Sequence, residues 1–321
     1  MHSRIPPQRV LVTGAGGPAG IAVIKELKAQ GHFTVGADAD PLAAGLFLAD
    51  DGFVVPPYRD ADYAQLLCEA AAERSVTLLV STLAEELEYL THASTTLSEA
   101  GIAHWFSKPD SVARCVDKWL FATALEGSGV SVPASALGSP GDVPGPWIVK
   151  PRFGRGSRDV YAVEDREELA WVLKRVPEPV VQTRLTGREF TVDALTDRSG
   201  RLVGAVPRWR LETKAGISTK GETFADVGLS KLVADLVARL DLEGPCNVQG
   251  FIDAAGRVSF IEVNPRFSGG LPLSLAAGAD LVGQYVRAAL GLPIDLERLA
   301  YKPGVTMLRH FSEIFVSDPV I

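Results

Sequence analysis

The stretch Phe260-Ile261-Glu262-Val263-Asn264-Pro265-Arg266 places a carboxylate, an amide and a guanidinium at alternate positions of an apolar run. Side chains of a β-strand alternate between its two faces. The pattern therefore predicts that the three polar side chains share one face, while Ile261 and Val263 point into a core. Two oxygen ligands beside a fixed cation suit Mg²⁺ and the phosphates that it neutralises. A bland surface strand is the competing interpretation, and the Phe-Ser-Gly-Gly that follows at 267–270 disfavours it.

The composition is that of a globular protein with substantial cores. The chain has 321 residues, of which 46% are hydrophobic and 22% charged, and its net charge is -7. The basic residues are dispersed and the apolar runs are too short to cross a bilayer, so we expect neither a nucleic-acid nor a membrane partner. Cys68, Cys115 and Cys246 show no metal-binding spacing and are interpreted as reduced thiols of a cytoplasmic protein.

A glycine-rich turn follows the first apolar strand. Residues 10–13 predict a buried strand, residues 14–20 the turn, and residues 33–37 and 78–81 two further strands, with helical segments between them. This alternation predicts a parallel, doubly wound sheet. The turn, with Asp38 after the second strand, occupies the position of a dinucleotide-binding signature. A structural or substrate-contacting turn is the favoured interpretation, because no hydride-transfer residues follow.

Two lysines and a basic, glycine-containing loop predict a phosphate site. Lys118 follows Asp117 in a helical context, and Lys150 ends a predicted strand. A buried ammonium needs a partner, and a phosphate would supply one. Residues 151–158 combine glycines, a serine and arginines, as in a loop that closes over a triphosphate. The loop is not a Walker A motif, and a solvated basic hairpin is the alternative.

Residues 180–189 predict a strand, a crossover and the start of another strand. The crossover would expose backbone groups that can pair with an adenine edge. Glu189 would then be placed to accept ribose hydroxyls. An exposed glutamate at the start of a strand is the equally weighted alternative.

These pieces, in this order, resemble the ATP-grasp superfamily, and especially the single-chain relatives of the carbamoyl-phosphate synthetase large subunit. The motif most specific to the resemblance is Asn247-Val248-Gln249 followed by residues 261–266, and the resemblance extends from Leu11 to Phe315. It implies an α/β ATP-grasp fold. A doubly wound Rossmann-like pre-ATP-grasp domain would occupy residues 1–107. Two α+β subdomains that clasp ATP would follow, a small lid subdomain at 108–187 and a C-terminal subdomain with the metal site at 188–321.

The resemblance also implies roles for individual residues. ATP phosphates would be contacted by Lys118, Lys150 and a lid loop of Gly154, Arg155, Gly156 and Ser157. Gln182, Thr183 and Leu185 would surround adenine, and Glu189 would hold the ribose. Gln249, Glu262 and Asn264 would coordinate Mg²⁺, with Mn²⁺ able to substitute, and Arg266 would steady the transferring phosphoryl group. Thr183 stands where relatives often have Glu, which would weaken the adenine contact unless this position contributes its backbone.

The segment 206–214 predicts a charged strand face that carries Arg208, Arg210, Glu212 and Lys214. In relatives this segment borders the phosphoryl-transfer site, and a basic residue there helps to bind the substrate carboxylate. Arg208 or Arg210 is the predicted residue, with a solvated charged edge as the alternative.

Two further segments are candidates for substrate contacts. The small residues at 268–272 could bind a substrate carboxylate through exposed amides. Glu85, Glu86 and Glu88 could meet a substrate amine, but an acidic turn at the N-terminus of a helix is the favoured interpretation.

The resemblance implies an ADP-forming carboxylate–amine ligase of small-molecule biosynthesis. ATP would phosphorylate a carboxylate, and an amine would capture the acyl phosphate to form an amide or peptide-like bond. A homodimer is implied by the resemblance only. The alternatives are an acyl-phosphate- or carbamate-forming kinase of the same fold, a nicotinamide-binding Rossmann protein, and a non-catalytic nucleotide-binding regulator.

Overall fold

The first sheet is parallel, with the strand order β3-β2-β1-β4. The computed structural model describes residues 5–317. Val23 of α1 belongs to the core on one face of this sheet and Leu67 of α3 to the core on the other, so the predicted doubly wound arrangement is confirmed. The elements are β1 (Arg9–Thr13), α1 (Pro18–Ala29), β2 (Phe33–Asp38), α2 (Ala44–Leu48), β3 (Asp51–Val54), α3 (Tyr63–Glu73), β4 (Leu78–Ser81), α4 (Leu87–His92) and α5 (Ser94–Glu99).

A second, antiparallel sheet follows two short helices, in the strand order β5-β8-β6-β7. Asp117 separates the helices because its carboxylate accepts hydrogen bonds from Trp119 N and Leu120 N, which caps the second helix. The elements are α6 (Pro109–Val116), α7 (Lys118–Leu125), β5 (Ser135–Leu137), β6 (Trp147–Pro151), β7 (Tyr161–Val163), α8 (Arg166–Leu173) and β8 (Pro179–Thr183).

The third sheet is antiparallel and has six strands in the order β13-β12-β9-β10-β11-β14. Its strands β9, β10 and β11 are consecutive in the chain and pair as antiparallel hairpins, with no helix between them. The elements are β9 (Arg188–Thr196), β10 (Leu202–Lys214), β11 (Ile217–Thr223), α9 (Val227–Arg239), β12 (Gly244–Ile252), β13 (Val258–Asn264), α10 (Leu271–Ala276), α11 (Leu281–Ala289), a 3₁₀ helix (Leu296–Leu299) and β14 (Thr306–Leu308).

The two faces of the third sheet have different neighbours. One face packs on α9 through an apolar core that includes Val192 and Val248. The opposite face is apolar at one end, where Leu195 and Val206 share a core with α1, β1 and α11. At its other end this face carries polar side chains, and we call that end the polar face. The shared core places the N-terminal sheet beside the polar face.

The alternation that the sequence predicts for β13 is interrupted by a β-bulge. Gln249 pairs with Glu262, but the next residue, Gly250, pairs with Phe260, so Ile261 is skipped. Phe260 and Val263 are therefore both buried in the core, whereas Ile261 is half-buried. The expectation that Ile261 and Val263 point into the core is thus correct for Val263 and wrong for Ile261. The bulge keeps the carboxylate of Glu262 on the polar face.

No helix in residues 5–317 is long and apolar enough to cross a membrane. All three cysteines are free and buried, as expected for structural thiols.

The bulge predicts unequal costs for two neighbouring truncations. Phe260→Ala should lower the free energy of unfolding by about 3 kcal/mol, because it empties a packed position against Phe190. Ile261→Ala should cost only about 1 kcal/mol, because that side chain is half-buried. Urea unfolding followed by tryptophan fluorescence measures both. An equal cost, or a larger cost for Ile261→Ala, would contradict the bulged register.

Candidate functional site

Three predicted metal ligands meet on the polar face. Gln249 and Glu262 are cross-strand partners in β12 and β13. Gln249 Nε2 lies 3.0 Å from Glu262 Oε1, and Asn264 Nδ2 lies 2.5 Å from the same oxygen. Rotation of either amide would present its oxygen beside the carboxylate instead. Within residues 5–317 no group of three or more His, Cys, Asp or Glu could hold a metal, so a cation here would bind one carboxylate and two amides.

Lys150 is a buried cation that faces this cluster. Its side chain lies on β6 and is only 6% exposed, and no residue between 5 and 317 pairs with its ammonium group. Burial lowers the pKa of Lys150 to about 8, although the carboxylate of Glu262 raises it; the Lys118 ammonium lowers it further. An unpaired buried ammonium is costly, and an anionic ligand would offset that cost.

Lys118 occupies the start of α7 on the same side. Its Nζ donates to the carbonyl oxygen of Gly154 at 2.8 Å. Burial lowers the pKa of Lys118, while the carboxylates of Glu262 and Glu85 oppose this effect. Both predicted phosphate-binding lysines therefore lie within electrostatic range of Glu262.

The predicted lid loop, Gly154 to Ser157, reaches across the site. Gly154, Gly156 and Ser157 all have positive φ angles of 128°, 69° and 55°. The loop lies against the hairpin between β10 and β11, since a Cβ on Gly216 would lie 3.0 Å from the carbonyl carbon of Gly156. Gly216 therefore permits this close approach of the two backbones.

The residues predicted to surround adenine lie at the end of β8, but several of their groups already have partners. Gln182 Nε2 donates to Ser135 Oγ at 2.8 Å, and Thr183 Oγ1 donates to the carbonyl oxygen of Pro144 at 2.9 Å. The amides of Thr183 and Arg184 donate to the carbonyl oxygens of Ala134 and Pro146. A hydrogen bond to an adenine edge would therefore have to come from backbone groups of the crossover other than these amides. Leu185, the third predicted adenine contact, is half-buried.

Arg208 is placed beneath the polar face rather than on an open surface. It is 2% exposed, and its Nε and Nη2 donate to Asp193 at 3.0 and 3.3 Å. Its Nη2 also donates to Ser268 Oγ at 3.0 Å, and a Cβ on Gly270 would lie 2.2 Å from its guanidinium carbon. Arg208 therefore fixes the turn that follows Arg266.

Asp193 is the residue that the sequence analysis missed. It also accepts hydrogen bonds from Asn247 Nδ2 at 3.0 Å and Ser274 Oγ at 2.6 Å. Burial would raise the pKa of Asp193, but Arg208 and the hydroxyl donors hold it below its ordinary value. Its position as the one carboxylate in the mostly apolar segment 190–195 could have indicated a buried, paired charge.

The other two predicted arginines differ in their surroundings. Arg210 Nε lies 2.8 Å from Glu189 Oε1, so the predicted ribose ligand is paired with the predicted substrate ligand. Bulges around Glu212 also interrupt the charged strand face expected for 208–214. Arg266 donates through Nη1 to the carbonyl oxygen of Phe267 at 2.9 Å and lies within electrostatic range of Glu262. Arg266 is therefore the arginine that lies within electrostatic range of the predicted metal ligand Glu262.

The first glycine-rich turn is held by its own chain. Asp38 accepts hydrogen bonds from Gly16 N and Asp40 N, so backbone amides occupy both of its carboxylate oxygens. A Cβ on Gly20 would lie 2.4 Å from the carbonyl oxygen of Gly14. Close packing and hydrogen bonds within the turn therefore account for its glycines and for Asp38, without a bound ligand.

Glu86 attaches the turn after β4 to the core of the first sheet. It is 1% exposed and accepts hydrogen bonds from Ser81 Oγ at 2.6 Å, Tyr63 OH at 2.7 Å and Thr13 Oγ1. Burial raises the pKa of Glu86 despite these donors. The acidic segment 85–88 thus contains a buried anchor, which a solvated helix start would not require.

Two family models match separate parts of the chain. Residues 10–104 match the family described as the PylC-like, N-terminal domain, and residues 175–310 match ATP-grasp in the biosynthetic pathway with Ter operon. The chain thus contains a PylC-like N-terminal domain followed by an ATP-grasp domain. These matches confirm the ATP-grasp resemblance and the fold class expected from the sequence.

The individual relatives match different shares of this chain. The carbamoyl phosphate synthase large chain of Clostridium perfringens (strain SM101 / Type A) is 31% identical over 178 residues, which are 50% of this chain and 16% of that relative. The crystal structure of L-amino acid ligase from Bacillus licheniformis has a TM-score of 0.73 at 16% identity, covering 94% of this chain and 78% of that one.

A third relative was solved with ligands. It is the biotin carboxylase domain dimer of 2-oxoglutarate carboxylase from Hydrogenobacter thermophilus, in complex with MgADP, ADP and bicarbonate. Its TM-score is 0.72 at 17% identity, covering 92% of this chain and 72% of that one. At these identities the structural likeness shows the fold of this chain and nothing beyond it.

The buried ammonium of Lys150 predicts a pH-dependent stability. Because its folded pKa of about 8 lies below the ordinary 10.5, the native state binds fewer protons than the unfolded state between these values. Stability should therefore rise with pH in this window. Between about pH 7.5 and about pH 9.5, the unfolding free energy of the wild type should gain about 1–2 kcal/mol relative to Lys150→Met. Chemical denaturation at both pH values tests this, and a constant difference between the two proteins would contradict it.

Proposed function

We propose that this protein is an ATP- and Mg²⁺-dependent carboxylate–amine ligase, which forms an amide or peptide-like bond through an acyl phosphate. The observation that carries the proposal is the convergence of Lys118, Lys150 and Arg266 on the Glu262 cluster. Three cations beside one carboxylate and two amides suit a nucleotide polyphosphate together with its divalent ion.

The residues fit the nucleotide and the metal. Unpaired Lys150 offers a buried charge to phosphate oxygens, and Lys118 lies beside it at the lid loop. Glu262, Gln249 and Asn264 would hold Mg²⁺, which normally takes one or two carboxylates and completes its shell with phosphate oxygens and waters. When bound, the ion would supply Lewis-acid neutralisation of the phosphates.

The protein's own groups would mainly position reactants and neutralise charge. The lysines would bind the phosphates of ATP, and Arg266 would stabilise the equatorial oxygens of the phosphoryl group as it passes to the substrate carboxylate. The lid loop would exclude water, which protects an acyl phosphate from hydrolysis. A carboxylate is a poor electrophile, and its phosphorylation supplies the leaving group that the amine displaces.

The substrate carboxylate is proposed to bind near the turn of residues 268–270. Arg208 would support that turn from beneath, through Ser268 and the face of Gly270, rather than contact the substrate. Gly269 lies near the N-terminal glycine-rich turn, since a Cβ placed on it would be 3.4 Å from Pro18 Cβ. The substrate would therefore bind between the N-terminal domain and the third sheet.

A nicotinamide cofactor is the less favoured alternative. Asp38 would be the ribose ligand, but its oxygens accept hydrogen bonds from Gly16 and Asp40.

We also propose a cytoplasmic location, which the three free buried thiols support, and a homodimer.

The proposal predicts a strong effect of one carboxylate. Glu262→Gln should lower Mg²⁺-dependent ADP formation about 100-fold, because it removes the only carboxylate of the metal-ligand set. ADP release is measured over a panel of carboxylates, each with and without a panel of amines. Glu167→Gln, an exposed carboxylate on α8, is the matched control and should retain wild-type rates.

The same panel separates the related functions. A ligase requires both substrates for sustained turnover, whereas an acyl-phosphate- or carbamate-forming kinase turns over with the acceptor alone. Full activity of a verified Glu262→Gln protein would refute the proposed site.

A further inference from the structure

The lid loop is tied to the N-terminal domain by an ion pair. Arg155 Nη1 lies 3.2 Å from Oε2 of Glu85, which is 70 positions earlier in the chain. The Glu85 side chain is 17% exposed and that of Arg155 is 52% exposed. The contact therefore joins a mostly buried carboxylate of one domain to a more exposed guanidinium of another.

Glu85 is held by its neighbours in the chain. The next residue, Glu86, is buried and accepts hydrogen bonds from three hydroxyl groups, which come from β1, α3 and β4. Ser81 Oγ also donates to the carbonyl oxygen of Leu83 at 3.2 Å. The turn that presents Glu85 is thus attached to three elements of the N-terminal domain, and little freedom remains for it to follow the lid.

The ion pair lies close to the phosphoryl-transfer residues. The charges of Glu85 and Arg155 both act on Arg266, and the charge of Glu85 also acts on Lys118. The lid loop itself contacts Lys118 through the Gly154 carbonyl and Gly216 through its backbone. Arg155 is therefore the lid side chain that could add a guanidinium beside Arg266.

We propose that Glu85 is a positioning residue that acts through Arg155. It holds the lid guanidinium beside Arg266, so that the closed lid presents a second arginine to the transferring phosphoryl group. The N-terminal domain would then take part directly in closing the nucleotide site, besides forming one wall of it. This inference rests on the proposed ATP-dependent function.

The ion pair between Glu85 and Arg155 is expected to contribute little to the stability of the whole protein. Ion pairs with an exposed partner contribute little to global stability, so Glu85→Gln should leave the unfolding midpoint of the nucleotide-free protein unchanged. The effect should be confined to the lid loop in the nucleotide complex. A residue that only supported the fold would lower the midpoint instead.

Hydrogen exchange by mass spectrometry, with Mg²⁺ and a non-hydrolysable ATP analogue as the probe, tests the proposal. In the wild type the analogue should slow exchange both in the lid loop and in residues 180–189. In Glu85→Gln and Arg155→Gln, residues 180–189 should stay protected while the lid loop exchanges about threefold faster than in the wild type. The double variant E85Q/R155Q should exchange no faster in the lid loop than Arg155→Gln alone, because Glu85 is proposed to act through Arg155.

Arg166→Gln is the matched control, because Arg166 is exposed on α8, outside the predicted phosphate-binding loop, and makes no ion pair among the described residues. It should keep wild-type protection. Equal lid protection in Glu85→Gln and the wild type, or a double variant that exchanges faster than Arg155→Gln alone, would overturn the proposal. A wild type that gains no protection in either segment would instead overturn the proposed ATP-dependent function.

Discussion

The buried carboxylate of Asp193 is the constraint on which the polar face depends. It accepts hydrogen bonds from Arg208 on β10, Asn247 on β12 and Ser274 on α10. These partners join three strands of the third sheet to the helix that follows the site. Because a buried ion pair is costly to break by removing one partner, about 3–5 kcal/mol, the whole network forms as a unit.

The position of the catalytic candidates follows from this network. Arg208 supports the Ser268–Gly270 turn, and this turn follows Arg266 in the chain. The bulge at Ile261 keeps Glu262 on the polar face while Phe260 and Val263 fill the core beneath. The two sides of the site are thus set by different forces. A buried hydrogen-bond network fixes the side where the substrate is proposed to bind, and the opposite side carries the buried, unpaired ammonium of Lys150.

The strongest sequence signals gave correct local structure. Alternating polarity predicted the association of Glu262 with Asn264, and Lys118 lies in a helix as expected, because strand periodicity and helix formation are local effects. The bulge at Ile261 was not predicted, because strand register depends on contacts between strands, such as the packing of Phe260 against Phe190.

The pairing of charged groups was harder to predict. Arg208 and Arg210 look alike in sequence, yet one is neutralised by Asp193 and the other by Glu189. Glu85 and Glu86 are adjacent acids, but one faces the lid and the other is an interior anchor. Which partner a charge meets is decided by residues distant in the chain, and one sequence contains no direct record of that choice.

The central claim is that the polar face and the two lysines form a Mg²⁺-nucleotide site. It is tested most directly by the thermal unfolding midpoint of the wild-type protein with ATP plus Mg²⁺, ATP alone, NAD⁺ and NADP⁺. A ligand that binds only the native state raises the midpoint by mass action. ATP with Mg²⁺ should raise it more than ATP alone, and the nicotinamide cofactors should leave it unchanged. A rise with a nicotinamide cofactor and none with Mg²⁺-ATP would contradict the account and place the ligand at the N-terminal glycine-rich turn.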